Sequence, residues 1–185
     1  MKLNAYKGST WTPVYAQLDL KYALLKIKDG TTPTPLEITV KVGEGNLTWS
    51  ENRNIEYVLD RGLIDEVREG DQVPMDVSFD FTWEFITGND DTTTSPATVE
   101  DALKRVGQAA GWISTDADQC RPYAVDIVVE YVPNCSDGSA NADQETITLP
   151  DFRWESVDHD LRAGTISVTG RCNAFVATTV REAQP

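Results

Sequence analysis

A chain of 185 residues with 40% hydrophobic and 25% charged side chains is long enough to bury one core of its own and too apolar to stay wholly disordered. Sixteen basic residues against thirty acidic ones leave a formal charge of −14. That balance argues against a basic-groove nucleic-acid binder, because affinity for phosphate backbones comes from Lys and Arg displacing counterions.

The first thirty residues show no basic patch followed by an unbroken apolar run, so neither a secretory signal nor a membrane anchor is expected. In chain order, apolar runs at Leu20 to Lys28, Leu36 to Val42 and Asn54 to Leu59 predict short strands, punctuated by Asp29-Gly30 and Gly43 to Gly45. Ser50 to Gln72 is different. It mixes charges of both signs with isolated apolar residues at Ile55, Val58, Leu59, Leu63, Ile64 and Val67. Three readings stay open for it: a surface hairpin turning at Arg61-Gly62, a short amphipathic helix, or an arm, mobile in the free monomer, that docks on another copy.

From Val73 to Ile86, Val73, Met75, Val77, Phe79, Phe81, Trp83 and Phe85 alternate with polar residues. Period 2 across fourteen residues predicts a long strand with one buried face and a polar face carrying Asp76, Asp80 and Glu84. After a polar linker at Gly88 to Thr94, Ser95-Pro96 or Thr98 caps a helix over Val99 to Ala110, with Gly111 as its stop. Tyr123 to Val132 alternates again, with Asp126 and Glu130 in its polar set. Further strands are expected at Glu145 to Leu149, Phe152 to Val157, Thr165 to Cys172 and Ala174 to Arg181. Many short strands with regular turns and one helix predict a β-sandwich or barrel with one flanking helix. Trp83 and Trp154 fall on core positions, which leaves Trp11, Trp49 and Trp112 as candidates for exposure.

The residues carry no catalytic constellation. His159, the one histidine, sits in Asp158-His159-Asp160 and reads as a solvated strand-end residue. Phosphate loops, nucleophile elbows and zinc spacings are missing from the sequence, and Asn134 to Asp143 lacks the ligand spacing of a calcium loop. Cys120, Cys135 and Cys172 lack C-x-x-C spacing, and the strand between the first two would hold them too far apart for a disulfide. They are expected to be free thiols in a reducing compartment. No enzyme activity, cofactor or metal is expected.

Gly62 to Ile86, GLIDEVREGDQVPMDVSFDFTWEFI, resembles the central stretch of bacteriophage tail tube (major tail) proteins of long-tailed phages. The resemblance continues through TVEDALKRVGQA, YAVDIVVEYVP and LPDFRWESVDHDLRAGTISVTGRCNA, and spans about Lys21 to Ala174. It implies a fold shared with type VI secretion tube proteins, and six copies closing into rings that stack into a hollow tail tube for DNA ejection. The domain organisation it implies is one unit over 1–185, with 50–72 as a projecting inter-ring loop and 1–19 and 175–185 as terminal arms. Inter-ring contact then falls to Ile55, Val58, Leu59, Arg61, Leu63, Ile64, Val67 and Arg68. Asp76, Asp80, Glu84, Asp126 and Glu130 line either the lumen, where carboxylates repel passing DNA, or a seam between subunits. A seam requires cationic partners, and Arg171, Arg153 and Lys104 are the candidates. The implied partners are further copies of the chain and the tail terminator, tape-measure and baseplate or tip proteins. DNA is cargo without specific binding, and the location is the virion tail, with assembly in the host cytoplasm. The competing reading is a carbohydrate- or receptor-binding β-sandwich of a virion, which needs an exposed aromatic platform.

Overall fold

The computed structural model describes residues 23–40, 46–83, 97–118, 120–131 and 145–181. The chain is mainly β, with antiparallel sheets and one short helix. Eight strands form one sheet: β1 (Ala23–Lys28), β2 (Glu37–Val40), β3 (Leu47–Ser50), β6 (Met75–Thr82), β7 (Val125–Tyr131), β8 (Glu145–Asp160), β9 (Thr165–Cys172) and β10 (Thr178–Arg181). Their order is β2-β1-β7-β8-β9-β6-β3, and β10 joins β8. The other two, β4 (Ile55–Asp60) and β5 (Leu63–Glu69), pair among the described residues only with each other.

The two strands expected from Glu145 to Val157 are one 16-residue strand. Its first half runs between β7 and β10, and its second half pairs with β9. Asp151 sits at the bend in the left-handed region, at φ 51°. It is held there by its own N–H donating to Asp126 Oδ1 at 2.9 Å and by Thr115 Oγ1 donating to Asp151 Oδ1 at 2.8 Å. β10 therefore continues the line of β9 along β8, so Thr178–Arg181 belongs to the sheet and not to a free terminal arm.

β6 keeps the expected alternation, burying Met75, Val77, Phe79 and Phe81, but its paired length is eight residues instead of fourteen. Glu84 to Ile86 lie outside the described residues, as do the linker at Gly88 to Thr94, Cys135 and the loop from Asn134 to Asp143. The core includes Phe79, whose ring meets Phe152 edge-on at 5.9 Å between centroids, together with Ile27, Ile127, Leu149 and Ile166. Each such side chain contributes roughly 1.5–3 kcal/mol through removal from water. Gly170 permits this packing: a Cβ there would stand 2.1 Å from Arg153 O and 2.8 Å from the Phe152 ring.

Three tryptophans reverse the expectation, while Trp49 is exposed as expected, at 37%, and Trp11 lies outside the described residues. Trp112 is buried, at 5% exposure, whereas Trp83 and Trp154 are each 41% exposed. Trp83 lies just past the last β6–β9 pair. Trp154 lies just past Phe152, the last β8 residue paired with β7, so the core has already reached its rim there.

The helix is also shorter than expected. α1 (Val99–Lys104) starts at Thr98, whose hydroxyl accepts from Asp101 N while Asp101 accepts from Thr98 N. It stops at Arg105, in the left-handed conformation at φ 53°, and a 3-10 turn follows over Gly107–Ala109. Gly107 brings the chain back against Asp101, where a Cβ would meet the carboxylate at 2.7 Å. Ala102 and Leu103 are buried, whereas Val106 is exposed.

Candidate assembly surfaces

Between the hairpin and the helix expected for Ser50 to Gln72, the structure adopts the hairpin. Arg61 and Gly62 form the two-residue turn, both with positive φ (49° and 84°), the conformation whose twist matches the strands it joins. Every residue of β4 and β5 is exposed. The register pairs Ile55 with Glu69, Glu56 with Arg68, Tyr57 with Val67 and Val58 with Glu66, then shifts so that Leu59 meets Ile64 and Asp60 meets Leu63.

This register sorts the hairpin into two faces. Ile55, Tyr57, Leu59, Ile64 and Val67 share one face, with exposures from 41% to 64%, and Glu69 joins them at the base opposite Ile55. Val58, Leu63, Arg68 and Glu66 share the other with Glu56 and Asp60. Arg68 donates to Glu66 at 2.6 Å, so its charge is already balanced within the hairpin. The eight residues expected to make inter-ring contact are thus together on one element, but split between faces. Tyr57 was missed. Its two-residue spacing from Ile55 and Leu59 was the available signal.

The second surface is the polar face of the main sheet. Asp76 accepts from Arg171 Nε at 2.9 Å across the β6–β9 pair, and Glu155 lies 3.6 Å from Arg171 Nη1. The Asp76 carboxylate holds the Arg171 guanidinium above its usual range. Asp80 is half-buried opposite Ser167, and Glu84 lies outside the described residues. Glu130 is bound at 2.8 Å by Lys26 and at 3.2 Å by Lys28. Partial burial raises the Glu130 carboxyl, but these two lysines outweigh it and leave it below its usual range.

Asp126 is the opposite case. Burial pushes its carboxyl up more than the N–H of Asp151 brings it down. The four described acids therefore do not form one uniform set. The expected cations are also mostly engaged elsewhere: Arg153 Nη2 holds Asp116 at 2.6 Å and its Nε donates to Pro122 O, while Lys104 pairs with Glu100. Among the described residues, Arg171 alone of the three is bound to one of the expected acids.

His159 is not merely solvated. Its Nε2 lies 3.3 Å from Glu100 Oε1, and its ring meets Trp83 edge-on at 5.3 Å, tying the end of β8 to α1. Cys120 is exposed and Cys172 buried, and burial pushes the Cys172 thiol up to about 12.

No protein-family model and no curated protein sequence matches the chain. Among solved structures it is similar to a chain in the cryo-EM structure of an extracellular contractile injection system, the PVC sheath/tube terminator in the extended state. That match has a TM-score of 0.51 and 8% identity, and covers 91% of this chain and 99% of the other. It is also similar to a chain in the cryo-EM structure of the anti-feeding prophage (AFP) baseplate, 6-fold symmetrised, with a TM-score of 0.44, 12% identity, and coverage of 92% and 97%. At 8% identity the first likeness is one of fold alone, over nearly the whole of both chains; the second is weaker and adds nothing to it.

Proposed function

We propose that this chain is a structural, non-enzymatic subunit of a phage-tail-like tube, in which six copies close into a ring and the rings stack. The observation that carries the reading is the exposed apolar face of the β4–β5 hairpin, which among the described residues covers no part of the core. A two-stranded ribbon with five large apolar side chains in water is marginal alone, and burying that face on another subunit removes the cost. The tail tube resemblance and the fold shared with a chain of a sheath/tube terminator structure support the same reading.

Sedimentation and negative-stain microscopy of the purified chain test it. A ring of six weighs about 123 kDa, six times 20.5 kDa, and stacked rings are expected as concentration rises. Single rings that never stack would place the chain at the end of a tube, and a monomer under every salt condition overturns the proposal. The exposure of Trp83 and Trp154 keeps a sugar-binding reading in play, although Trp83 is engaged by His159 and Trp154 lies under Lys104. Sugar-dependent tryptophan fluorescence from a monomer favours that alternative.

A further inference from the structure

We propose that the apolar face of the β4–β5 hairpin seats in an uncharged groove at the base of the hairpin on a second copy of this chain. The inference rests on the hairpin being an intersubunit element, and it supplies the surface that receives it. The groove, of about 550 Å3, lies between Gln72–Pro74, where the chain leaves β5, and Asn173–Thr178, where it passes from β9 to β10. Val73, Pro74, Ala174, Phe175, Val176 and Ala177 make most of its lining, and none of its lining residues bears a formal charge.

The walls are held in place by the chain itself. Met75 N donates to Ala174 O at 2.9 Å, and Ala177 N donates to Glu51 Oε1 at 3.0 Å. Phe175 and Val176 nevertheless remain 43% and 48% exposed. A groove fixed by backbone hydrogen bonds loses little conformational freedom when filled, which favours binding.

Charge selects the occupant. Copies of a chain at −14 repel wherever charged surfaces meet. Toward the tip, the face built from Tyr57, Leu59, Ile64 and Val67 has no ionisable group except the Tyr57 phenol, and the groove has none; the face's carboxylate, Glu69, lies at its base opposite Ile55 and is paired with Arg53 at 3.3 Å. The tip of that face and the groove therefore meet without desolvating a carboxylate. A chain's own hairpin tip does not reach its own groove, because β5 carries Ile64 roughly 17 Å from its base at Glu69. Giver and receiver surfaces differ, so the contact is head-to-tail and repeats from copy to copy, as a closed ring or a growing stack requires.

Cysteine crosslinking of the full chain, with Cys120 and Cys135 replaced by serine, tests the contact. Ile64→Cys and Val176→Cys are made in separate chains, mixed, and oxidised. A covalent dimer at least tenfold above either chain alone is expected. With both substitutions in one chain, a reducible ladder of oligomers is expected. Phe175→Asp combined with Val176→Asp, checked for folding by circular dichroism, should raise the concentration needed for assembly at least tenfold. Dimers from Ile64→Cys alone indicate hairpin-to-hairpin pairing and overturn the proposal, as does an intramolecular crosslink in a monomer. Normal assembly without the mixed dimer overturns the groove while leaving the ring reading intact. A parent chain that never assembles removes both.

Discussion

Leu59 and Ile64 face each other across the β4–β5 hairpin because Asp65 is the extra residue of a bulge, opposite no residue of β4. Strict alternation back from Val67 would have put Leu63 on the apolar face; the bulge puts Ile64 there instead. Leu63 is more exposed than Ile64, at 75% against 64%, so exposure alone ranks the two the wrong way for assembly. We expect Ile64→Asp to abolish stacking and Leu63→Asp to weaken it by less than threefold, with both chains keeping the parent melting temperature. Equal loss of assembly in the two variants, measured by sedimentation, would show that the face does not matter.

The polar face gives a second expectation. Changing Asp76, Asp80 and Glu84 together to Lys reverses three charges per copy. If they line a lumen, tubes form and bind DNA in a salt-dependent way, since each lysine can displace counterions. If assembly fails in low and high salt alike, the acids belong to a seam. In that case Arg171, deprived of the Asp76 carboxylate and left with only Glu155 for a partner, is the side chain to vary next.

Asp126 should cost stability at neutral pH. Its folded-state carboxyl is raised by burial, so the folded chain holds this proton more tightly than the unfolded chain does. The contribution is favourable below the ordinary aspartate range and is lost as pH rises through the raised value. Asp126→Asn keeps an acceptor for the N–H of Asp151. It should raise the melting temperature at pH 7, with the gain disappearing below the ordinary carboxylate range. A gain that persists unchanged in acid would mean that charge is not the cause.

Asp29 behaves in the reverse sense. Burial raises its carboxyl, but four donors outweigh it and leave it lowered: Thr31 N, Thr31 Oγ1, Leu36 N and Ile113 N, at 2.6–3.2 Å. Its stabilisation is present above the ordinary aspartate value and is lost as pH falls through the lowered one. Asp29→Ala leaves three backbone N–H groups short of a partner. Leu36 and Ile113 are 49% and 45% exposed, so water reaches part of this site, and the loss should be about 1–3 kcal/mol in all, read as a fall in the urea midpoint. An unchanged midpoint would mean that water replaces the carboxylate.

Alternation was legible because it is local: residues two apart share a face whatever the rest of the chain does. The buried sets of β6 and β9, the Arg61-Gly62 turn and the Thr98 cap all follow from neighbours within a few positions. The hairpin of the candidate site could be read as one of three possibilities, and its apolar residues named, but not its two faces, since a single bulge at Asp65 reassigns them. What remained was decided by distant contacts. Glu130 takes Lys28 from 102 residues away, and Trp154 is exposed because β7 stops opposite Phe152. Gly107 folding back on Asp101 accompanies the early end of a helix that propensity would extend to Ala110. The uncharged groove exists only because Asn173–Thr178 crosses beside Gln72–Pro74, two segments far apart in the chain whose meeting depends on the β6–β9 pairing and on no pattern in either.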